Sequence, residues 1–386
     1  MVATKLTFNT YITSSSQLSA LKNTSIQEII LEHQDLCRFG RLNSDQLINL
    51  INDGSQSGYV PILQWDVLSN DLKIRQGLAV LQQLPLQKIG AIRVQDAGIA
   101  ELIRQQFPNI PLHLIVETGN HNLASLERWT TYFGKQLKRL VLSTELPGST
   151  LKRFTETLNV PCEIMGVGRI LLFYTPRHLF HFLEKNPPPI IERMVTSDEQ
   201  KQHYFPTLEN RHGTFLFHYY DLFLLDLLPE LRKSMLQTIR IDLRFASSFA
   251  WIEKIDFLIK NFDLESAKIL KAQWPVSTIH GFYRANRTDR PIARLKNKHL
   301  QDFGENLVAY VAEAIKGQHI ALISRKPFYA NEPLLFITPE GKEVKILPDS
   351  IKNSQGKEVS ATDFEGVWII PHYKWIVPKT LVYRMT

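Results

Sequence analysis

IGAIRVQDAGIAELIRQQ, residues 89–106, holds one complete unit of the pattern that organises this chain. Ile89–Val94 is a short apolar run of the kind that fills a strand buried on both faces. Gln95-Asp96 interrupts it. In Ala97–Gln106 the apolar residues Ile99, Ala100, Leu102 and Ile103 form one stripe, as a helix packed on a sheet requires. The alternation recurs on both sides. Strands are predicted at Leu6–Tyr11, Ile26–Leu31, Tyr59–Leu63, Leu112–Val116, Arg139–Ser143, Cys162–Val167, Thr214–His218 and Thr238–Leu243. Helical patterns fall at Ser44–Asn52, Lys73–Gln83, Leu123–Phe133, Ser149–Thr157 and Asp221–Ser234. Strands separated serially by helices imply parallel pairing through crossovers. Closing eight such units into a TIM-like (β/α) barrel leaves no sheet edge exposed. The alternative is an open doubly wound sheet, but its glycine fingerprint is missing, because Gly166-Val167-Gly168 has no third glycine.

Past residue 300 the rhythm changes. A short helical run at Glu305–Lys316 precedes short strands at His319–Ser324, Leu334–Thr338, Glu343–Ile346, Gly366–Ile370 and Thr380–Arg384. Pro339-Glu340-Gly341 and Ser354-Gln355-Gly356 punctuate them, which predicts a small antiparallel β-barrel. The expected division is a barrel over 1–276, a basic linker over 277–303 and a C-terminal β-domain over 304–386. Length and a hydrophobic content of 44% suffice for both cores. No run approaches the roughly 20 apolar residues of a membrane span, so no membrane partner is expected. Met1–Thr10 has no apolar leader segment, and the two cysteines, Cys37 and Cys162, fit a reducing compartment. A cytoplasmic location is expected. Of the +7 net charge, +5 lies between Ser277 and the end, where 16 Lys/Arg face 11 Asp/Glu. Such a surplus suits an anionic partner.

EIMGVGRILLFYTPRHLF, residues 163–180, carries the densest chemistry. It reads as a buried strand, a break at Gly168-Arg169, an apolar run, and then Tyr174-Thr175-Pro176-Arg177-His178. A helix is expected to follow, ending at Asn186-Pro187-Pro188-Pro189, with a long connection from there to His212. The segment resembles the "HG-x-L-C-x-x-Y-S-G-R-C" signature of the peptidase U32 (collagenase-like protease) family. Tyr174 and Arg177 match it and Thr175 replaces its serine, but Leu171 and His178 stand at its two cysteine positions. Further resemblances lie at Gln95-Asp96-Ala97-Gly98, Pro111–Asn122, Leu142–Leu146, Gly213–Leu222, Ile241–Arg244, His280–Tyr283 and Phe328–Gly341, in the family's order and spacing.

The resemblance implies a TIM-like barrel with a C-terminal β-domain. It also implies either peptidase activity, as the family name says, or a part in hydroxylating tRNA, rRNA or ubiquinone precursors. Relatives of the second kind carry a 4Fe-4S cluster on four cysteines. This sequence has His178 at the first of those positions and no cysteine after Cys162, so no cluster or other cofactor is expected, and no metal. Cys37 resembles a cysteine of the quinone-pathway relatives. It follows a strand whereas Cys162 begins one, so the two are expected at opposite ends of the barrel, roughly 15 Å or more apart. Cys37, His178 and His181 remain the donors closest to a single-metal set.

Candidate catalytic residues are Cys37, Glu145 and His178. Arg177 is either a bidentate clamp for a small carboxylated ligand, oriented by Tyr174, or the ion-pair partner of a mouth carboxylate. His113 and Asn122 either line the same pocket or serve as a buried imidazole and a helix N-cap. Arg244 ends another strand as a pocket residue, and Asp242 beside it serves either as a general base or as an ion-pair partner of Arg244. Arg284, Arg287, Arg290, Arg294, Lys296 and Lys298, beside Phe282 and Tyr283, suit RNA backbone contact with base stacking, or a solvated linker. No recognisable protease motif is present. The leading expectation is an RNA-associated protein like the family's tRNA and rRNA hydroxylation members, altered at the cluster site. The alternatives are a U32 peptidase and a structural partner of a complete paralogue.

Overall fold

The computed structural model describes residues 6–117, 120–196, 202–284, 306–363 and 366–385. Residue contacts divide the chain into two units, Met1–Asp289 and Arg290–Thr386.

In the first unit, eight parallel strands close a barrel. They are β1 (Thr7–Tyr11), β2 (Ile26–Glu32), β3 (Val60–Trp65), β4 (Ala91–Val94), β5 (Leu112–Ile115), β6 (Leu137–Val141), β7 (Cys162–Thr175) and β11 (Thr238–Ile241). Each pairs with the next, and β11 pairs with both β7 and β1 to complete the ring. The crossover helices include α2 (Ser44–Gln56), α3 (Asp71–Gln83), α4 (Ala97–Gln106) and α5 (Leu123–Phe133). Their starts are fixed by side chains that the sequence places just after the strands. Asn43, Asn70, Asp96 and Asn122 each accept the backbone N–H three residues on, satisfying an otherwise orphaned donor. In α4 the stripe is confirmed, with Ile99, Ala100 and Ile103 buried.

Four local expectations are corrected. The strand at Glu163 does not break at Gly168-Arg169. β7 runs unbroken to Thr175, because Gly168 takes φ 145°, where a side chain would be strained and a Cβ would lie 2.7 Å from Asp242 Cβ. Residues 176–190 form no helix beyond a single 3-10 turn at His181–Leu183. The stretch to His212 is no plain connection either, since β8 (Ile191–Val195) and β9 (Phe205–Asn210) form a hairpin. Asp221–Phe223 ends strand β10 (Gly213–Phe223), and helix α7 occupies only Leu228–Lys233.

The outer half of β7 pairs antiparallel with β10, which pairs with β9, so a four-stranded sheet grows directly out of the barrel wall. The tip of this extension crosses the loop after β2. Asn210 donates to the Arg38 carbonyl at 2.8 Å, His212 Nε2 lies 2.7 Å from the Gln34 carbonyl, and Arg211 pairs with Asp35 at 2.8 Å. The extension thus roofs the C-terminal mouth. The barrel unit continues past residue 276. β12 (Thr278–Ile279) pairs with β10, and Tyr283 is buried with its hydroxyl on Glu230 at 2.9 Å. Among the described residues, no helix is long and apolar enough to cross a membrane.

The second unit is an antiparallel sheet of eight strands forming a half-barrel, from β13 (Leu307–Ile315) to β20 (Leu381–Arg384). β13 is a strand where a helical run was expected. It lies between β14 (His319–Ser324) and β20, and this pairing outweighs the helix preference of its Ala and Glu residues. Val308, Val311, Ile320, Leu322 and Phe336 form its core.

Candidate functional site

TIM barrels usually fill their interior with branched apolar side chains. Here the centre is an ion lattice built on Glu163 of β7, a fully buried residue. Its carboxylate lies 2.7 Å from Arg93 of β4, 3.3 Å from Arg139 of β6 and 3.4 Å from Arg240 of β11, and it accepts from Asn9 of β1 at 2.9 Å. Arg139 also grips Glu28 at 2.5 and 2.7 Å, and Arg240 reaches Glu117 at 2.5 Å. Burial alone would raise the Glu163 pKa. The three guanidiniums overcome it and hold the value at about 2.

A second network lies at the mouth, at the ends of β1, β2, β3 and β11. Arg244 binds Asp242 through two nitrogens at 2.6 and 3.0 Å and Glu32 at 2.7 Å, with its guanidinium 3.6 Å from the Tyr11 ring centre. Gln64 donates to Glu32 and Asp66, both at 3.0 Å, and accepts the Tyr11 hydroxyl at 2.9 Å. Arg38 binds Asp66 through its backbone N–H and Nε, both at 2.8 Å. Burial pushes the Glu32 carboxyl up to about 7 against the pull of Arg244. Asp242 stays below the usual range because Arg244 outweighs its burial. Above this floor opens a cavity of about 510 Å3, lined by Tyr11, Glu32, Arg41, Arg211, His212 and Arg244 among others.

The sequence-derived candidates separate into those near the mouth and those away from it. Arg244 lines the cavity. Cys37 lies just below, buried, donating to the Gln64 carbonyl at 2.7 Å. Burial, then the charges of Glu32 and Asp66, hold its thiol well above its ordinary pKa, so it stays protonated and is no ready nucleophile. Tyr174 stacks on Phe215 at 4.6 Å and donates to the His212 carbonyl at 3.0 Å, supporting the roof. Arg177 and His178 are exposed on the roof's outer side, and His178 Nε2 lies 3.0 Å from the Asn210 carbonyl. Arg177 therefore clamps nothing at the mouth. His113 faces the barrel interior, where burial and Arg139 hold it neutral, and Asn122 is the N-cap of α5. Glu145 is exposed, 3.8 Å from His121. Arg284 pairs with Glu230 at 2.7 Å, while Arg287, Arg290, Arg294, Lys296 and Lys298 lie outside the described residues.

The network residues Tyr11, Glu32, Arg38, Gln64 and Asp66 were missed from sequence. The available signal was a charged or amide residue closing an otherwise apolar strand, as in Ile29–Glu32 and Ile62–Asp66.

A four-thiolate cluster does not fit this chain. Cys37 is at the mouth, whereas Cys162 opens β7 at the opposite end of the barrel wall. Glu32, Cys37 and Asp66 place one ligand atom each within 4.8 Å of one another, but all three already engage Gln64, and the two carboxylates also bind Arg244 and Arg38.

The family model for peptidase family U32 matches residues 36–263. The chain is 26% identical to tRNA hydroxylation protein P2 of Bacillus subtilis (strain 168) over 207 residues, covering 50% of this chain and 65% of that protein. It is 18% identical to tRNA hydroxylation protein P of Escherichia coli (strain K12) over 391 aligned residues, covering 86% of this chain and 85% of the relative. Among solved structures it is similar to the U32 peptidase Mk0906, with a TM-score of 0.35 and 8% identity over 42% of this chain and 70% of that one.

Proposed function

The chain belongs to peptidase family U32, and from that premise we propose that it is a cytoplasmic, RNA-associated protein acting in tRNA hydroxylation. Its own residues do not ligate an iron–sulfur cluster. The observation that best supports this reading is the mouth cavity, which sits at the strand ends and carries the cationic side chains of Arg41, Arg211 and Arg244. A polyanion approaching the mouth meets the exposed Arg41 and Arg211 first, while Arg244 is held in the cavity floor by Asp242 and Glu32. The two relatives named for tRNA hydroxylation support the choice of RNA. The missing thiol set favours a companion role, in which this chain holds RNA and a complete paralogue supplies the oxidative chemistry. Proteolysis has less support, because the Cys37 thiol is buried and held protonated.

The test combines tRNA binding with nucleoside analysis. Affinity should fall with salt, and Arg41→Ala and Arg211→Ala should each lower the salt slope by about 1. Mass spectrometry of tRNA from cells lacking the gene should show loss of a hydroxylated nucleoside. An unchanged nucleoside profile together with no tRNA binding would refute the reading.

A further inference from the structure

A second cavity of about 380 Å3 adjoins the mouth, sharing Leu208 and Phe245 with it. Its wall comes from an irregularity in the strand pairing. Phe217 pairs with Leu171 and Asp221 with Arg169, so His218, Tyr219 and Tyr220 together stand opposite Ile170 alone. A bulge of this kind turns side chains out of the regular alternation. The Tyr219 ring lies nearly parallel to those of His203 (4.2 Å, 7°) and His218 (4.5 Å, 19°), and Phe205 meets it edge-on at 5.1 Å. Tyr204, 57% exposed, lines the same cavity.

The polar groups lining the cavity are unusual. Asp221 is 4% exposed; its Oδ2 accepts from Trp274 at 2.9 Å, but its Oδ1 has no donor. Beside it, at 3.8 Å, the buried Nε of Arg169 has no acceptor. The Phe217 and Phe245 rings, 5.8 and 5.3 Å away, hold that guanidinium in place. Asp221 and Arg169 form an ion pair with each other that is too long for a hydrogen bond, and a partner that hydrogen-bonds to both removes the cost of that gap. The partner must offer an N–H next to an acceptor, and it must be flat to lie against the rings. The Asp221 carboxylate repels a phosphate, so the site suits the base of a nucleotide.

We propose that this cavity holds one unstacked nucleobase of single-stranded RNA, with its ring N–H on Asp221 and the adjacent carbonyl on Arg169, the edge that uracil and guanine carry. The inference rests on the RNA-associated reading above and assigns a place on the protein to the recognised base.

The test is fluorescence anisotropy of a short labelled single-stranded RNA. Tyr219→Ala should weaken binding at least about fivefold, because it removes the ring that packs His203, His218 and Phe205 into the cavity wall. Tyr204→Ala, at an exposed position that leaves the fold intact, should weaken it less but measurably. Uridine and guanosine should displace the RNA, whereas 3-methyluridine and 1-methylguanosine, whose ring N–H is blocked, should not. Equal binding by wild type and both tyrosine variants overturns the assignment while leaving the RNA reading intact, as does displacement by the methylated nucleosides. If no RNA binds at all, the RNA reading fails, and titrating uridine against tyrosine fluorescence decides the cavity alone. Saturable quenching that Tyr204→Ala weakens supports it, and no quenching overturns it.

Discussion

Arg244 ties the last barrel strand to the second, donating to Glu32 at 2.7 Å while its other nitrogens hold Asp242. Both carboxylates are buried, so the guanidinium is their shared counter-charge. Arg244→Ala strands two negative groups and uncovers Tyr11, and it should cost about 3–5 kcal/mol. Arg244→Lys should recover only part of this, since an ammonium cannot reproduce the two-nitrogen grip. Urea unfolding of the two variants measures both effects.

Glu163 predicts an acid-side dependence. Its folded pKa of about 2 lies below the ordinary 4.5, so the stability it contributes is present above 4.5 and is lost as pH falls through 2. Glu163→Gln should destabilise the protein at neutral pH by about 3–5 kcal/mol, because Arg93, Arg139 and Arg240 lose their common anion. The gap from wild type should narrow towards acid. A constant gap across the acid range would contradict the lattice.

Glu32 has the opposite sign. Its folded pKa is raised, so its contribution is present below the ordinary carboxylate range and is lost as pH rises through about 7. The stability of Glu32→Gln relative to wild type should therefore improve from mildly acidic to mildly alkaline pH, as read from unfolding midpoints.

Cys37 and Cys162 are both buried, and burial raises both thiols. A thiol reagent such as Ellman's should react with neither in the native protein and with both after denaturation. Rapid native reaction at Cys37 would mean that it is open at the mouth.

Gly168→Ala should destabilise by about 1–3 kcal/mol, since the added methyl meets Asp242 and the backbone there is at positive φ. Because Asp242 orients Arg244, the same change should weaken ligand binding at the mouth. Calorimetry and RNA titration read the two effects.

The barrel was legible because its βα units write their own signal, a buried run followed by an apolar stripe, several of them opened by an Asn or Asp cap, as at Ile89–Gln106. Asp221–Ser234 misled because a buried strand end and a short helix abut without polar punctuation between them. Leu307–Ile315 misled because its Ala and Glu residues favour a helix and one of its two partners, β20, is remote in sequence. At the site, Arg244 and Asp242 could be found as charged residues at a strand end. Glu32, Gln64 and Asp66 carry the same strand-end signal, but their linkage into one network could not be read, since it exists only once strands from distant parts of the chain converge. Arg177 and His178 misled for the reverse reason. Arg177 matched the family motif and His178 stood at one of its cysteine positions, but the unbroken β7 carries both past the mouth cavity.

That unbroken strand fixes how the canopy behaves. β7 is at once a barrel stave and the first strand of the overhang, and β10 returns along it, through the bulge at His218–Tyr220, as far as Val167. With no hinge loop at this join and the far tip stapled to the β2 loop, the canopy cannot swing like a door. Whatever reaches the strand ends therefore finds the eave already set above them.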